Sequence, residues 1–174
     1  MSEFRAYSGA STDISEHLGL LRGLAMDPEV KHIVEIGFRK GLSTIALCTS
    51  GKQVTSYDVA DCRPHCVSLK RAAANFSFVR GDSLEINIPE CQLLHIDSLH
   101  TYKHLIAELR RHGPKSSKWI ALHDTETFGK IGKDGTKPGL VAAIDQFLSE
   151  SEGEWTRHLH LTNNNGMTLL RRSE

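Results

Sequence analysis

No apolar run in this 174-residue chain approaches the roughly 18 residues of a membrane-spanning helix, so no transmembrane segment is expected. Met1-Ser2-Glu3-Phe4-Arg5 does not open a secretory signal, and a soluble cytoplasmic protein is the expectation. An excess of one charge is missing too: Lys plus Arg number 21, and Asp plus Glu 21. No global field then draws the chain to nucleic acid or a membrane surface. Cysteine is sparse, at four. Cys48 and Cys91 lie in apolar helix and strand patterns and read as reduced core residues. Cys62-Arg63-Pro64-His65-Cys66 offers half a zinc site, but no second Cys/His pair follows at the usual spacing. There is no internal repeat and no linker. The length suits one domain with a single core, residues 1–30 forming an N-terminal helix and 31–174 the rest.

Apolar periodicity supplies the elements. Ser11 to Ala25 carries Ile14, Leu18, Leu21 and Leu24 at helical spacing, with Ser11, Thr12 or Asp13 as cap, and reads as a helix covering the sheet edge. Short β-branched or apolar runs predict strands at 33–36, 53–58, 76–80, 93–97 and 119–123. Helices are expected over 64–75, with Val67, Leu69 and the alanines inward, over 102–112 and over 140–148. Glu108 falls on the solvated face of the second of these. The Gly- and Lys-rich stretch 127–139 is too polar for core; its lysines Lys130, Lys133 and Lys137 suit either a lid or a solvated loop. Strands at 155–161 and 167–171 flank Asn163-Asn164-Asn165-Gly166, a hairpin turn signal. Five strands alternating with helices imply a parallel α/β sheet, closed by an antiparallel pair.

Ile33-Val34-Glu35-Ile36-Gly37-Phe38-Arg39-Lys40-Gly41-Leu42-Ser43-Thr44 organises this pattern. A strand, a glycine turn and a helix start, with Ser43 near the cap, bring backbone N–H groups to one point where a ligand can be gripped. Asp58, at the end of the second strand, can accept hydrogen bonds from both hydroxyls of a ribose. A dinucleotide fingerprint wants Gly-x-Gly-x-x-Gly, and Arg39 stands where its middle glycine would be, which argues against close approach of a pyrophosphate. Asp58, Asp82, Asp97 and Asp124 all sit at strand ends. Carboxylates gathered so closely repel unless something positive lies among them.

The stretch from Glu35 to Thr44 resembles motif one of class I S-adenosylmethionine (SAM)-dependent methyltransferases, whose ligand carries no phosphate. Ile96-Asp97-Ser98-Leu99-His100-Thr101-Tyr102 and His123-Asp124-Thr125 resemble paired motifs of the subfamily that includes macrolide-sugar and rhamnosyl O-methyltransferases and cephalosporin-hydroxylase-like proteins. The resemblance runs from about Ile33 to Arg171. It implies a Rossmann-like, seven-stranded, mostly parallel sheet of order 3-2-1-4-5-7-6, its last strand antiparallel, with helices on both faces. It implies SAM as cofactor, held by Glu35, Gly37, Gly41, Ser43, Asp58, Asp82 and Ser83, with Asp82 on the adenine amino group. It further implies a divalent metal on Asp97, His123 and Asp124, and His100 as general base. Where metal-dependent relatives carry Glu-Asp this chain has His123-Asp124; an imidazole there turns preference from magnesium towards a transition metal.

The expected activity is methyl transfer to a hydroxyl of a sugar or small metabolite, with metal assistance, no nucleic-acid or membrane partner, and homo-oligomerisation left open. A sugar hydroxyl is ionised far above neutral pH, so its methylation needs a base, a Lewis acid or both. The rivals are a non-catalytic interaction protein on a methyltransferase fold and a metal-dependent oxygenase using two histidines and one carboxylate.

Overall fold

The computed structural model describes residues 12–173. Its strands are β1 (His32–Ile36), β2 (Gln53–Asp58), β3 (Phe76–Arg80), β4 (Cys91–Ile96), β5 (Ser116–His123), β6 (Trp155–Leu161) and β7 (Met167–Arg172). Its α-helices are α1 (Leu18–Ala25), α2 (Leu42–Cys48), α3 (Arg63–Ala72), α4 (Tyr102–His112) and α5 (Leu140–Glu150). All seven strands share one sheet of order β3-β2-β1-β4-β5-β7-β6, as the resemblance implies. β1 to β5 run parallel, and β7 is antiparallel to both its neighbours. Among the described residues no helix is long and apolar enough to cross a membrane.

Strand alternation explains the two cores. Ile33, Val54, Leu93, Trp119 and Ala121 face α1, α2 and α3 on one side. Val34, Ile36, Leu94, Ile96, Ile120 and Leu122 face α4 and α5 on the other. With both faces covered, the central strands are apolar almost throughout. Strand order runs outward in opposite directions from β1 and β4, and their carboxyl ends form the switch point at which α/β sheets take ligands.

Several expectations are corrected. Ser11 lies outside the described residues. Thr12 and Asp13 do not cap the first helix; a 3-10 turn at Ser15–His17 precedes α1 and has no side-chain cap. Packed through Ile14, Leu18 and Leu21, this segment covers a sheet face rather than an edge. Val67 is 51% exposed because a residue two positions from inward Leu69 cannot share its side of a helix; Cys62 and Cys66 turn inward instead. Glu108 is fully buried, against the solvated position expected for it. In the loop before α5, Lys130, Lys133 and Lys137 are exposed, but Gly129, Gly132 and Gly139 are buried.

Ser43 does not cap α2 either; the N-cap is Gly41, at φ +76. The Ser43 hydroxyl turns down to Glu35 Oε1 at 2.5 Å, while Thr44 and Ser56 donate to Oε2, each at 2.5 Å. Glu35 is wholly buried, and its three partners tie β1, β2 and the first turn of α2 together. Burial pushes its carboxyl up to about 7, reinforced by the charge of Asp97 and opposed by the three hydroxyls. Gly37, at φ +97, is required on other grounds. A Cβ there would lie 1.9 Å from the backbone oxygen of Asp97, so the tips of β1 and β4 meet only because the side chain is absent.

Two outcomes follow. Gly37→Ala should cost roughly 3 kcal/mol or more, from steric overlap added to left-handed strain, and is checked by denaturant melting. A carboxyl raised from 4.5 to about 7 gives its full contribution below about 4.5 and loses it as pH rises through 7. Wild type should therefore lose on the order of 3 kcal/mol relative to Glu35→Gln between about pH 4.5 and pH 8. Parallel stability curves for the two proteins would remove burial of this carboxyl as the cause.

Candidate functional site

Two connected clefts open at the carboxyl ends of β1 to β4. The first, of about 510 Å³, is lined by Gly37, Asp58, Asp82, Ser83, Asp97 and His104, among others. Val59, Leu84 and Leu99 add exposed apolar walls, which suit a flat ring. The second, of about 570 Å³, shares Gly37, Arg39 and Asp97 with the first and extends under Thr12, Asp13 and Ile14. His65 faces this second cleft, while Cys62 and Cys66 are buried in the core, so the Cys-Arg-Pro-His-Cys stretch does not gather its donors at one point.

Asp58 is held by the backbone. Its Oδ2 accepts from Arg39 N and its Oδ1 from Ala60 N, each at 2.8 Å. Each oxygen keeps a second lone-pair direction for a ligand hydroxyl. Arg39 lies at φ +50, so the turn keeps a left-handed residue where the dinucleotide motif has its middle glycine. Its guanidinium reaches Asp13 at 2.6 Å and spans the mouth shared by both clefts. Asp82 caps a turn by accepting from Leu84 N at 2.8 Å; a turn rather than an α-helix follows it.

The floor between Asp82 and Asp97 is set by α4. Glu108 accepts from Ser98 Oγ at 2.7 Å, and its other oxygen lies 3.1 Å from His104 Nε2. The same ring nitrogen is 3.0 Å from Ser83 Oγ, and His112 donates to the Ser83 carbonyl at 2.7 Å. Hydrogen bonding to Glu108 raises the His104 pKa, against the opposing effect of burial. One helix thus pins the loops after β3 and β4. None of His104, Glu108 or His112 was singled out for the site from the sequence; the i,i+4 spacing of His104 and Glu108 was the available signal.

Beyond Asp97 lies a compact group of acids and imidazoles. His100 Nε2 is 3.0 Å from Asp97 Oδ1 and 3.1 Å from Asp124 Oδ2. One donor atom from each of Asp97, His100 and Asp124 lies within 4.8 Å of the others, close enough for a shared cation. His123 is 2% exposed behind them, its Nδ1 3.3 Å from Asp124 Oδ1 and 3.7 Å from Asp97 Oδ1. Burial disfavours the Asp97 carboxylate, yet the His100 hydrogen bond and the His123 imidazole prevail and hold its pKa well below the usual range. Burial likewise opposes charge on His123, but Asp97 and Asp124 raise its pKa. His17 packs edge-on against His123 at 5.4 Å, and His95, wholly buried, is pushed down to about 4 chiefly by desolvation.

The structure therefore brings Gly37, Asp58, Asp82, Ser83 and Asp97 to one cleft and sets His100, His123 and Asp124 against its end. Glu35 does not face the cleft; it lies beneath the turn, its oxygens occupied by hydroxyls. Ser43 lines the second cleft, but its hydroxyl is engaged with Glu35. Gly41 shapes the turn, since a Cβ there would meet the Phe38 ring at 2.9 Å.

No protein-family model matches this chain, and no curated protein does. Solved structures do resemble it. Cofactor-bound Rv0187 from MTB is 21% identical over 99% of this chain and 89% of that one, with a TM-score of 0.74. The N-methyltransferase NodS from Bradyrhizobium japonicum WM9, in complex with S-adenosyl-L-homocysteine (SAH), is 14% identical over 99% and 98%, at 0.73. The O-methyltransferase from Bacillus cereus, in complex with SAH, is 16% identical over 91% and 81%, at 0.71. Across such distances it is the architecture that is shared. The chain has the Rossmann-like fold of class I SAM-dependent methyltransferases.

Proposed function

We propose that this protein is a SAM-dependent methyltransferase acting on a hydroxyl of a sugar or other small metabolite, with a divalent cation at Asp97 and Asp124. The observation that carries the reading is the Asp58 carboxylate, fixed by two backbone N–H groups at the rim of a cleft with apolar walls and a second acid, Asp82, at its far end. That arrangement suits a nucleoside: Asp58 accepts from the ribose hydroxyls, Asp82 from the adenine amino group, and Val59, Leu84 and Leu99 flank the base. SAM, when bound, supplies a methyl group on a positively charged sulfur. The Asp97 carboxylate beside the Gly37 turn suits a cationic centre there.

The residues at the end of the cleft also fit a cation. Oδ1 of Asp124 and both ring nitrogens of His123 are buried without a hydrogen-bond partner, and two carboxylates share the spot. A divalent ion supplies Lewis acidity that lowers the pKa of an acceptor hydroxyl. Asp97 and Asp124 are the residues to hold it, with His123 behind them. His100 Nε2 faces these same acids, so its part in proton transfer is set by them rather than by an open lone pair. The donor group of two carboxylates and one imidazole is the reverse of the set an iron oxygenase of the two-histidine type would use.

Titration calorimetry with SAH should give micromolar-range binding, and Asp58→Ala should weaken it by roughly 100-fold or more, since two hydrogen bonds to a charged acceptor are lost. Absence of both heat and a thermal shift with SAM and SAH would overturn the reading. SAH binding without methyl release to any hydroxyl compound tried would favour a non-catalytic protein on this fold.

A further inference from the structure

We propose that His100 is itself a cation ligand, so that Asp97, His100 and Asp124 form a three-donor site selecting a nitrogen-accepting divalent transition ion over magnesium. This rests on the cation reading above and goes beyond it in the ligand set and the class of ion.

The geometry comes first. Two ligands at about 2.1 Å from a common ion and at right angles to each other lie about 3.0 Å apart, whereas tetrahedral ligands lie about 3.4 Å apart. His100 Nε2 is 3.0 and 3.1 Å from its two carboxylate neighbours, and one donor atom of each of the three residues lies within 4.8 Å of the others, compatible with ligands on a common ion. Hydrogen bonding explains only one of these approaches. The Nε2 contact meets hydrogen-bond geometry towards Asp97, while Asp124 Oδ2 is drawn equally close without it. The second oxygen of Asp124 is buried and unpartnered. His123, 2% exposed, lies behind the same two acids, its Nδ1 3.3 Å from Asp124 Oδ1. A shared cation accounts for the two close approaches to His100.

The surroundings hold His100 for ligation rather than for proton abstraction. A general base needs a lone pair that the substrate hydroxyl can reach. Here Nε2 is turned to the acids, and Nδ1 is buried without a partner. The ring is stacked on Phe128, with centroids 5.0 Å apart and planes 8° from parallel, and Lys133 N bonds the His100 carbonyl at 2.8 Å. Asp124 sits at φ +59, a left-handed conformation that is costly for a non-glycine residue and is held by Phe128 N bonding its carbonyl at 3.0 Å. Both ligands are thus fixed by one loop. Magnesium prefers oxygen donors, while imidazole suits later divalent ions.

The test loads the full-length chain, stripped of metal, with manganese(II) alone. Pulsed EPR of the wild type should show one directly bound imidazole nitrogen, and a large excess of magnesium should not displace the ion. His100→Gln should abolish the nitrogen coupling and weaken binding more than about 100-fold, beyond the 10–100-fold cost of losing an outer-shell partner. His123→Gln should keep the coupling. Bound manganese without nitrogen coupling, coupling lost in His123→Gln but kept in His100→Gln, ready displacement by magnesium, or no binding at all would each overturn the proposal. Should His100→Gln fail to fold, the wild-type spectrum and His123→Gln still decide. SAH calorimetry run in parallel separates the two readings: SAH binding without nitrogen ligation sinks only the role given to His100.

Discussion

The tips of β1 and β4 are held against each other by a contact that tolerates no side chain. Gly37 packs on the backbone of Asp97, and Asp97 N in turn donates to the Ile36 carbonyl at 2.8 Å. Everything the clefts offer depends on this closeness. It puts the Asp97 carboxylate within the space framed by Asp58 and Asp82 on one side, and beside His100 and Asp124 on the other. A wider gap would leave the cleft and the acid–imidazole group as two separate features.

A buried second tier supports that contact. Glu35 gathers three hydroxyls from β2 and α2 directly beneath the turn, and Glu108 gathers Ser98 and His104 beneath the opposite wall. Both are carboxylates taken wholly out of water, an arrangement stable only when the remaining lone pairs are satisfied. Neither faces the clefts as Asp58 or Asp97 does, yet between them they fix the start of α2, strand β2, the loop after β4 and the first turn of α4.

The sequence made the strands and their acidic ends legible because period-two apolar runs and strand-terminal aspartates are local patterns. Helix α4 and strands β2, β3 and β6 begin and end where periodicity places them. What stayed hidden depended on partners far along the chain. A hydroxyl before an apolar run reads as a cap, and nothing local reveals that Ser43 instead answers Glu35. A glutamate in a charged helix reads as solvated, and Glu108 is interior because Ser98 arrives from the β4 loop to join His104 of the same helix against it. His17 gains its place only against His123, from the other end of the chain.

The hairpin turn between β6 and β7 shows what such long-range ties entail. Asn163 and Asn164 bond Glu16 and Thr12 of the leading segment, while the Asn165 carbonyl receives the backbone of Glu126 and Thr127 just past Asp124. Hairpin tips are ordinarily where a chain accepts inserted residues most freely. This one is a rivet joining three parts of the polypeptide, so a tag or peptide spliced into it would loosen the leading segment and the strand-five loop together. For anyone choosing a place to graft or split this protein, the asparagine bend is a site to leave intact.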